Sequence, residues 1–435
     1  MSFQQELAAC MDGMDTIDTH EHMLNFPAMR SVGGDFFAEY DWAYMEHHLI
    51  AAGTSRAEYE SIVRNREMSV RERWDKIEHL WEKCRYTGFG QCLDAAARIR
   101  HGVPEINRDT VEEIDRRIRI SHETGEDETV YEKCHIVTSL NDGNTLDIDR
   151  RFYIPVMRLD PYIRPQSHFQ WLGFEKEYGR PIRRLEHLTD AFEGYIRNAV
   201  CQGGVTFKLG TAIYRDLAFD KASFEEAEKG FNRMISPGGY QLFHYDQDFL
   251  RTERALENYM THFALSVLND MKIPVQIHTG MLAWMDNDLR RSQPEMLEPL
   301  FDMYPNVRFD LFHMGWPYWH AMGGLAKAHP NVYVNMCWAH IASPAAAVRG
   351  LEEWLESVPY HKIIGFGGDY GFVDVIPGQR YMAIKNISTA LARKVESGLM
   401  TEKAACRLGH AILYDNPLAL YGLEDRLQGR KGDSV

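Results

Sequence analysis

Eight short β-rich runs, alternating with helical stretches along 435 residues, predict an α/β chain folded as a (β/α)8 TIM barrel with a helical insertion after strand 1. Three observations carry that expectation. Each run is rich in Val, Ile, Phe or Tyr and is bounded by Gly, Pro, Asn or Asp. Runs such as Ile273–His278 are nearly continuous in apolar residues, as parallel strands buried on both faces require. From the third run onward, every gap is long enough for a crossover helix.

In order, the strands are expected at Met14–Thr19, Lys133–Ser139, Phe152–Asp160, Gly203–Leu209, Ile273–His278, Val307–His313, Val332–Cys337 and Lys362–Gly368. The first gap is too long for one crossover. Residues 23–130 are charged, aromatic and helical in pattern; Trp74, Ile77 and Trp81, with Leu80 beside them, fall on one helical face. This face is expected to be core rather than cofactor contact. The block reads as a helical insertion over the barrel mouth, because the loops that follow the strands emerge there. A second, shorter insertion is expected at residues 220–261, with a turn at Pro237–Gly239. The tail after Tyr370 reads as helical as far as Leu423. Residues 1–435 are expected to form one barrel domain.

Composition excludes several functions. Lys and Arg total 48 against 63 Asp and Glu, a net charge of −15. That balance disfavours nucleic acid or an anionic membrane as partner. No run approaches the roughly 20 apolar residues of a membrane span, and the first residues lack a secretory pattern. The seven cysteines are scattered and form no CxxC pair. Neither a disulfide framework nor a thiolate zinc site is expected. Each cysteine reads as a small buried apolar residue, and a cytoplasmic location follows.

The chemistry gathers at strand ends. The first strand runs into His20-Glu21-His22, and residues two apart on a strand share a side, so two imidazoles can grip one metal. Strand five ends in His278, strand six in His313 and strand eight in Asp369. In a barrel these ends converge on one face. Glu21 is expected to point away from the mouth, and Asp18 outward or into the strand layer.

This ordered set resembles the amidohydrolase superfamily. The stretches around Phe207-Lys208, Ile277-His278-Thr279-Gly280 and Asn331-Val332-Tyr333-Val334 look like its amidohydrolase-related branch, which includes gamma-glutamyl-amide hydrolase domains. Uronate isomerases and metal-dependent decarboxylases are more distant relatives. The resemblance implies that His20, His22, His278 and Asp369 ligate a divalent metal: zinc, with manganese as the alternative, and one ion rather than two. Asp369 would take a proton from water activated at that metal, and His313 would polarise the substrate carbonyl or hold the water.

Lys208 has three readings: with Arg215, a cation holding a substrate carboxylate; a carboxylated bridge between two metals; or half of a structural ion pair. The first is preferred. Trp316, Trp338 and Tyr370 are expected to wall the pocket. The expected activity is a metal-dependent hydrolase cleaving an amide or other C–N bond of a small, anionic, carboxylated substrate. A lyase or isomerase on the same scaffold is the alternative. No nucleic-acid or membrane partner is expected, and a homo-oligomer is a modest expectation.

Overall fold

The computed structural model describes residues 2–41, 44–165, 167–236, 247–283 and 288–432. The turn expected at Pro237–Gly239 lies outside the described residues. Nine strand segments follow one another: β1 (Thr16–Glu21), β2 (Ile136–Asn141), β3 (Tyr153–Pro155), β4 (Met157–Arg158), β5 (Phe207–Leu209), β6 (Val275–Ile277), β7 (Phe309–Leu311), β8 (Val332–Asn335) and β9 (Ile363–Ile364). Every paired neighbour is parallel, in the orders β1-β2-β3 and β4-β5-β6-β7-β8-β9.

The segments β3 and β4 are two halves of one strand position. Only Val156 separates them, and its N–H donates to the Asn141 carbonyl at 2.9 Å. Eight positions therefore stand side by side. The ring closes where the chain beyond β9 meets β1. Thr19 N–H donates to the Phe366 carbonyl (3.2 Å), Asp369 N–H to His20 (2.8 Å) and His22 N–H to Tyr370 (2.8 Å). The α/β barrel predicted from the strand runs is the fold observed. Several boundaries move by a few residues: β5 starts at Phe207 rather than Gly203, and β2 starts at Ile136 rather than Lys133, because Val130–Lys133 forms a helical turn and His135 adopts a left-handed φ of 50°.

The strands are short and their residues are almost all buried, which explains the apolar runs. Inside the ring, Ile17, Leu140, Ile154, Val205 and Ile364 pack with Leu420, Tyr421, Leu423 and Leu427 from the C-terminal helices. Polar side chains fill the layer between this plug and the mouth. Gln276 Nε2 donates to the Thr19 carbonyl (3.0 Å) and to Tyr421 Oη (2.9 Å), and the Tyr421 hydroxyl donates to Asp310. Asn335 Nδ2 donates to Thr19 Oγ1 and Asp310 Oδ2. Lys208, Gln276 and Asp310 are register partners on β5, β6 and β7, so the lysine shares their direction.

Between β1 and β2 the chain is helical, from Phe26–Val32 through Val111–Thr124. The helix Val70–Cys84 opens on a capping box between Ser69 and Glu72 and buries Trp74, Ile77, Leu80 and Trp81. This segment packs on the loops that follow β8 and β9. Gly88 must be glycine: a Cβ there would lie 2.1 Å from the Ile341 carbonyl oxygen. The next residue, Phe89, meets the Trp338 ring at 5.7 Å. The Tyr370 hydroxyl donates to the Glu39 carbonyl (2.9 Å), and Arg100 and His101 both reach Asp374.

Candidate metal centre

A cavity of about 360 Å³ opens at the ends of the strands that carry the expected donors. Its lining includes His20, His22, Asp142, Arg158, Lys208, His278, His313, Trp338 and Asp369, with Ile213, Leu282 and Ala283 as apolar wall.

A bulge on β1 aims the first two donors. Asp18 pairs with Ser139 and Glu21 with Asn141, so β1 spends one residue more than β2 over this span. Plain alternation would put Asp18, His20 and His22 on one face. Instead, Asp18 Oδ1 accepts from the N–H groups of His20 (3.1 Å) and Gly368 (3.2 Å), and Oδ2 from the Ser139 hydroxyl (3.0 Å). Glu21 Oε2 accepts from Tyr370 N–H (2.7 Å). These buried carboxyl groups tie β1 to the loop that carries Asp369. Gly368 lets that loop come close, since a Cβ there would lie 2.0 Å from Glu21 Oε1.

The Nε2 atoms of His20 and His22 converge on Asp369 Oδ1, at 3.4 and 3.1 Å. His22 Nδ1–H donates to the Asp142 carbonyl at 3.0 Å. Its Nε2 then carries a lone pair that faces a carboxylate oxygen, and two such atoms at this distance need a proton or a cation between them. Tetrahedral bonds of about 2.0–2.1 Å separate ligand atoms by about 3.3 Å, close to the observed spacings. The donor chemistry therefore fits a divalent ion. His20, His22 and Asp369 bring these atoms together, and His278 lines the same cavity. His278 Nε2–H donates to the Met281 carbonyl at 3.2 Å, which leaves Nδ1 as its free lone pair.

Protonation states agree with that role. Burial, then the charge of Lys208, pulls His278 down to about 3 and His20 to about 4. Both are neutral at neutral pH, the form that ligates metals. Burial alone would raise Asp369, but the imidazoles gathered around it, His20 first, outweigh burial and hold Asp369 well below the usual carboxylate range. Backbone strain collects at the same place. His313, Trp338 and Asp369 have φ of 65°, 62° and 58°. Left-handed backbone costs a non-glycine residue about 1–2 kcal/mol, and such strain concentrates at functional sites.

Lys208 is buried at the cavity wall. Its Nζ lies 3.8 Å from the centre of the Phe312 ring and has no hydrogen-bond partner or ion pair among the described residues. The structural ion pair entertained for it is absent there. Arg215 corrects the expectation that the two cations act together. The short helix Thr211–Ile213 turns the chain away, and Arg215 Nη1 bonds Glu257 Oε2 at 3.0 Å while Nη2 donates to the Ala218 carbonyl at 2.6 Å. It does not line the cavity.

Of the three expected aromatic walls, Trp338 lines the cavity, its ring 5.7 Å from that of His313. Trp316 and Tyr370 do not. The Trp316 carbonyl accepts from Met281 N–H, and Tyr370 is buried beneath Glu39.

Two groups beside the donors, Asp142 and Cys337, belong to no sequence motif. Asp142, one residue past β2, has Oδ2 4.0 Å from His20 Nε2 and holds Arg158 through Nε (2.9 Å) and Nη2 (2.8 Å). Burial would raise Asp142, but Arg158 overrides it and holds the carboxyl at about 2. Cys337, two residues past β8, has its thiol beside His313 and Asp369. The signal that could have found them is position: each stands just beyond an apolar run, where the other donors also stand.

Comparison with known proteins agrees with this geometry. A family model described as amidohydrolase matches residues 224–423. That match takes in a little under half of the chain and includes His278, His313 and Asp369. Protein FluG of Emericella nidulans is 29% identical over 257 residues, covering 55% of this chain and 28% of FluG. The chain thus spans little more than a quarter of that relative's length. Among solved structures, uronate isomerase of Thermotoga maritima matches with a TM-score of 0.78 at 15% identity, covering 96% of this chain and 97% of that one. Glucuronate isomerase of Caulobacter crescentus matches at 0.77 and 18%, covering 97% and 94%. A chain from Lactobacillus casei, named as a candidate metal-dependent hydrolase, matches at 0.64 and 16%, covering 96% and 98%. At these identities the three share the fold. No helix among the described residues is long and apolar enough to cross a membrane.

Proposed function

We propose that the protein is a metal-dependent hydrolase that cleaves an amide or other C–N bond of a small carboxylated substrate. The observation that carries this reading is the convergence of His20 Nε2, His22 Nε2 and Asp369 Oδ1 beside a buried lysine that lacks a hydrogen-bonding partner among the described residues. His20, His22, His278 and Asp369 would hold one ion, zinc or manganese. Such an ion, when bound, polarises water and the substrate oxygen. Asp369, ionised at neutral pH, accepts the proton of the attacking water and returns it to the leaving nitrogen. His313 steadies the substrate carbonyl oxygen. Lys208 attracts the substrate carboxylate, and the ammonium, already stripped of water, binds it strongly. Trp338, Leu282 and Ala283 give the non-reacting part of the substrate an apolar wall.

The test is turnover of a panel of N-acyl amino acids and γ-glutamyl amides in oxygen-18 water. Hydrolysis incorporates one label per product carboxylate. His20→Ala and Asp369→Asn each lower kcat by at least about 10³-fold, the scale of losing an essential acid–base or electrostatic group. Full activity in either variant would refute the mechanism.

One observation favours a second reading. The fold matches to two uronate or glucuronate isomerases cover nearly the whole of each chain, the long segment after β1 included. An isomerase would use the same donors to bind substrate oxygens and would give a product equal in mass to its substrate, without solvent label. A decarboxylase would release CO₂, also unlabelled from the carboxylate lost.

A further inference from the structure

A groove of about 610 Å³ runs between the helices Phe3–Asp12, Gly88–His101 and Ile376–Glu396 and the residues just before β2. It shares no lining residue with the cavity at the mouth. Much of its wall is apolar, with Ala8, Ile99, Pro377, Tyr381 and Ile384. Ile99 and Tyr381 remain 49% and 39% exposed. Small-molecule sites have this make-up: about 300–1,000 Å³, mostly apolar, with a few placed polar groups.

The charge of the groove runs against that of the chain. Lys133, Arg380 and Lys385 line it, with Asp12 as the one carboxylate, although the whole chain carries −15. The Arg98 guanidinium, 5.4 Å from the centre of the Tyr381 ring, adds a further cation there. Part of this charge is answered within the fold. Lys133 Nζ holds Glu126 at 2.8 Å. Arg380 Nη1 bonds Asp12 at 2.8 Å, and its Nη2 donates to the Asp12 and Met14 carbonyls at 2.9 and 3.1 Å. The rest is not answered. Arg380 Nε has no partner among the described residues, although that side chain is only 4% exposed. Lys385 is exposed and has no side-chain hydrogen bond or ion pair among them. A buried donor in a cavity wall needs an acceptor from the cavity itself.

We propose that this groove binds a small organic anion, a carboxylate carried on an aryl or alkyl body. Lys385 and the Nε–H of Arg380 answer the carboxylate through charge-assisted hydrogen bonds. The body covers Ile99, Tyr381 and Ile384 and takes their apolar surface out of water. The site stands apart from the metal centre and does not depend on its chemistry.

The full chain carrying Lys208→Met, so that this lysine cannot hold a carboxylate at the mouth, is titrated calorimetrically with 3-phenylpropionate. Two controls lack the charge or the body: 3-phenylpropan-1-ol and propionate. The aryl carboxylate binds with a dissociation constant below about 1 mM, and each control binds at least about tenfold more weakly. Adding Lys385→Glu weakens the aryl carboxylate at least about tenfold. Adding Ala8→Trp, which fills the groove, abolishes its binding. Arg380 is left intact, because it also anchors the residues that lead into β1. Weaker binding by the aryl carboxylate, equal binding by the alcohol, or binding indifferent to Lys385→Glu overturns the proposal. Should Ala8→Trp fail to fold, as thermal melting would reveal, the exposed Lys385 decides alone. Self-association in sedimentation that Ala8→Trp disperses would put a second copy of the chain in the groove, which also overturns it.

Discussion

Lys208 and Arg215 separate two kinds of buried cation. Arg215 is compensated: Glu257 takes one of its nitrogens, and Arg164 takes the other oxygen of Glu257 at 2.7 Å. Arg215→Met leaves part of that buried carboxylate unanswered and is expected to cost about 3–5 kcal/mol of stability, measured by urea unfolding, with KM unchanged in the folded enzyme. Lys208 is not compensated by any ion pair among the described residues. Lys208→Met removes an expensive buried charge. It should raise the unfolding midpoint while raising KM for a carboxylated substrate at least about tenfold, which corresponds to 1.4 kcal/mol of lost binding. A lysine that served only packing would show the first effect without the second. Sequence could not tell these cations apart, because Lys208 lies in β5 and Arg215 follows only a few residues beyond it. The direction of Arg215 is decided by one short helical turn and by Glu257, which lies on the distant helix Gln247–Met271. Asp142 and Cys337 were illegible for a related reason: neither belongs to a motif, and only the ring brings them beside His20 and His313.

Among the elements, the short helix Phe36–Asp41 carries an acid in an unusual state. Burial pushes the Asp41 carboxyl up from an ordinary 3.8 to about 7, against the bond from Tyr59 that favours the ionised form. The folded chain therefore keeps a proton that the unfolded chain releases between these values. Stability from this group is full below pH 4, falls as pH rises towards 7, and is lost above that. Asp41→Asn should leave the melting temperature nearly unchanged at pH 4 and raise it at pH 8, by at most about 4 kcal/mol of stability. A parallel pH profile in both proteins would contradict it. The strands were the most legible elements, because parallel strands buried on both faces leave apolar runs. The face of Val70–Cys84 was legible too, since Trp74, Ile77 and Trp81 are all buried as their spacing implies. The break of one strand at Val156 and the extra residue in β1 were not. Both are settled by pairing with neighbours far away in sequence.

At the scale of the whole molecule, the ring closes along one seam. Three backbone hydrogen bonds join residues 19–22 to residues 366–370, and the donors His20, His22 and Asp369 stand on the two sides of that line. An ion held by all three would be a clasp across the junction between the opening and closing strands of the barrel. Opening the barrel there would break the clasp, and releasing the clasp would ease the opening. Chelation should therefore speed hydrogen–deuterium exchange at the amides of Thr19, His22 and Asp369 more than at Phe309 or Val275, which lie across the ring. Equal acceleration at all of these amides would mean that the ion stiffens the molecule as a whole. In the seam-specific case, metal supply would govern how long the barrel stays shut, so the site would act as a lock on the fold as well as a place for chemistry.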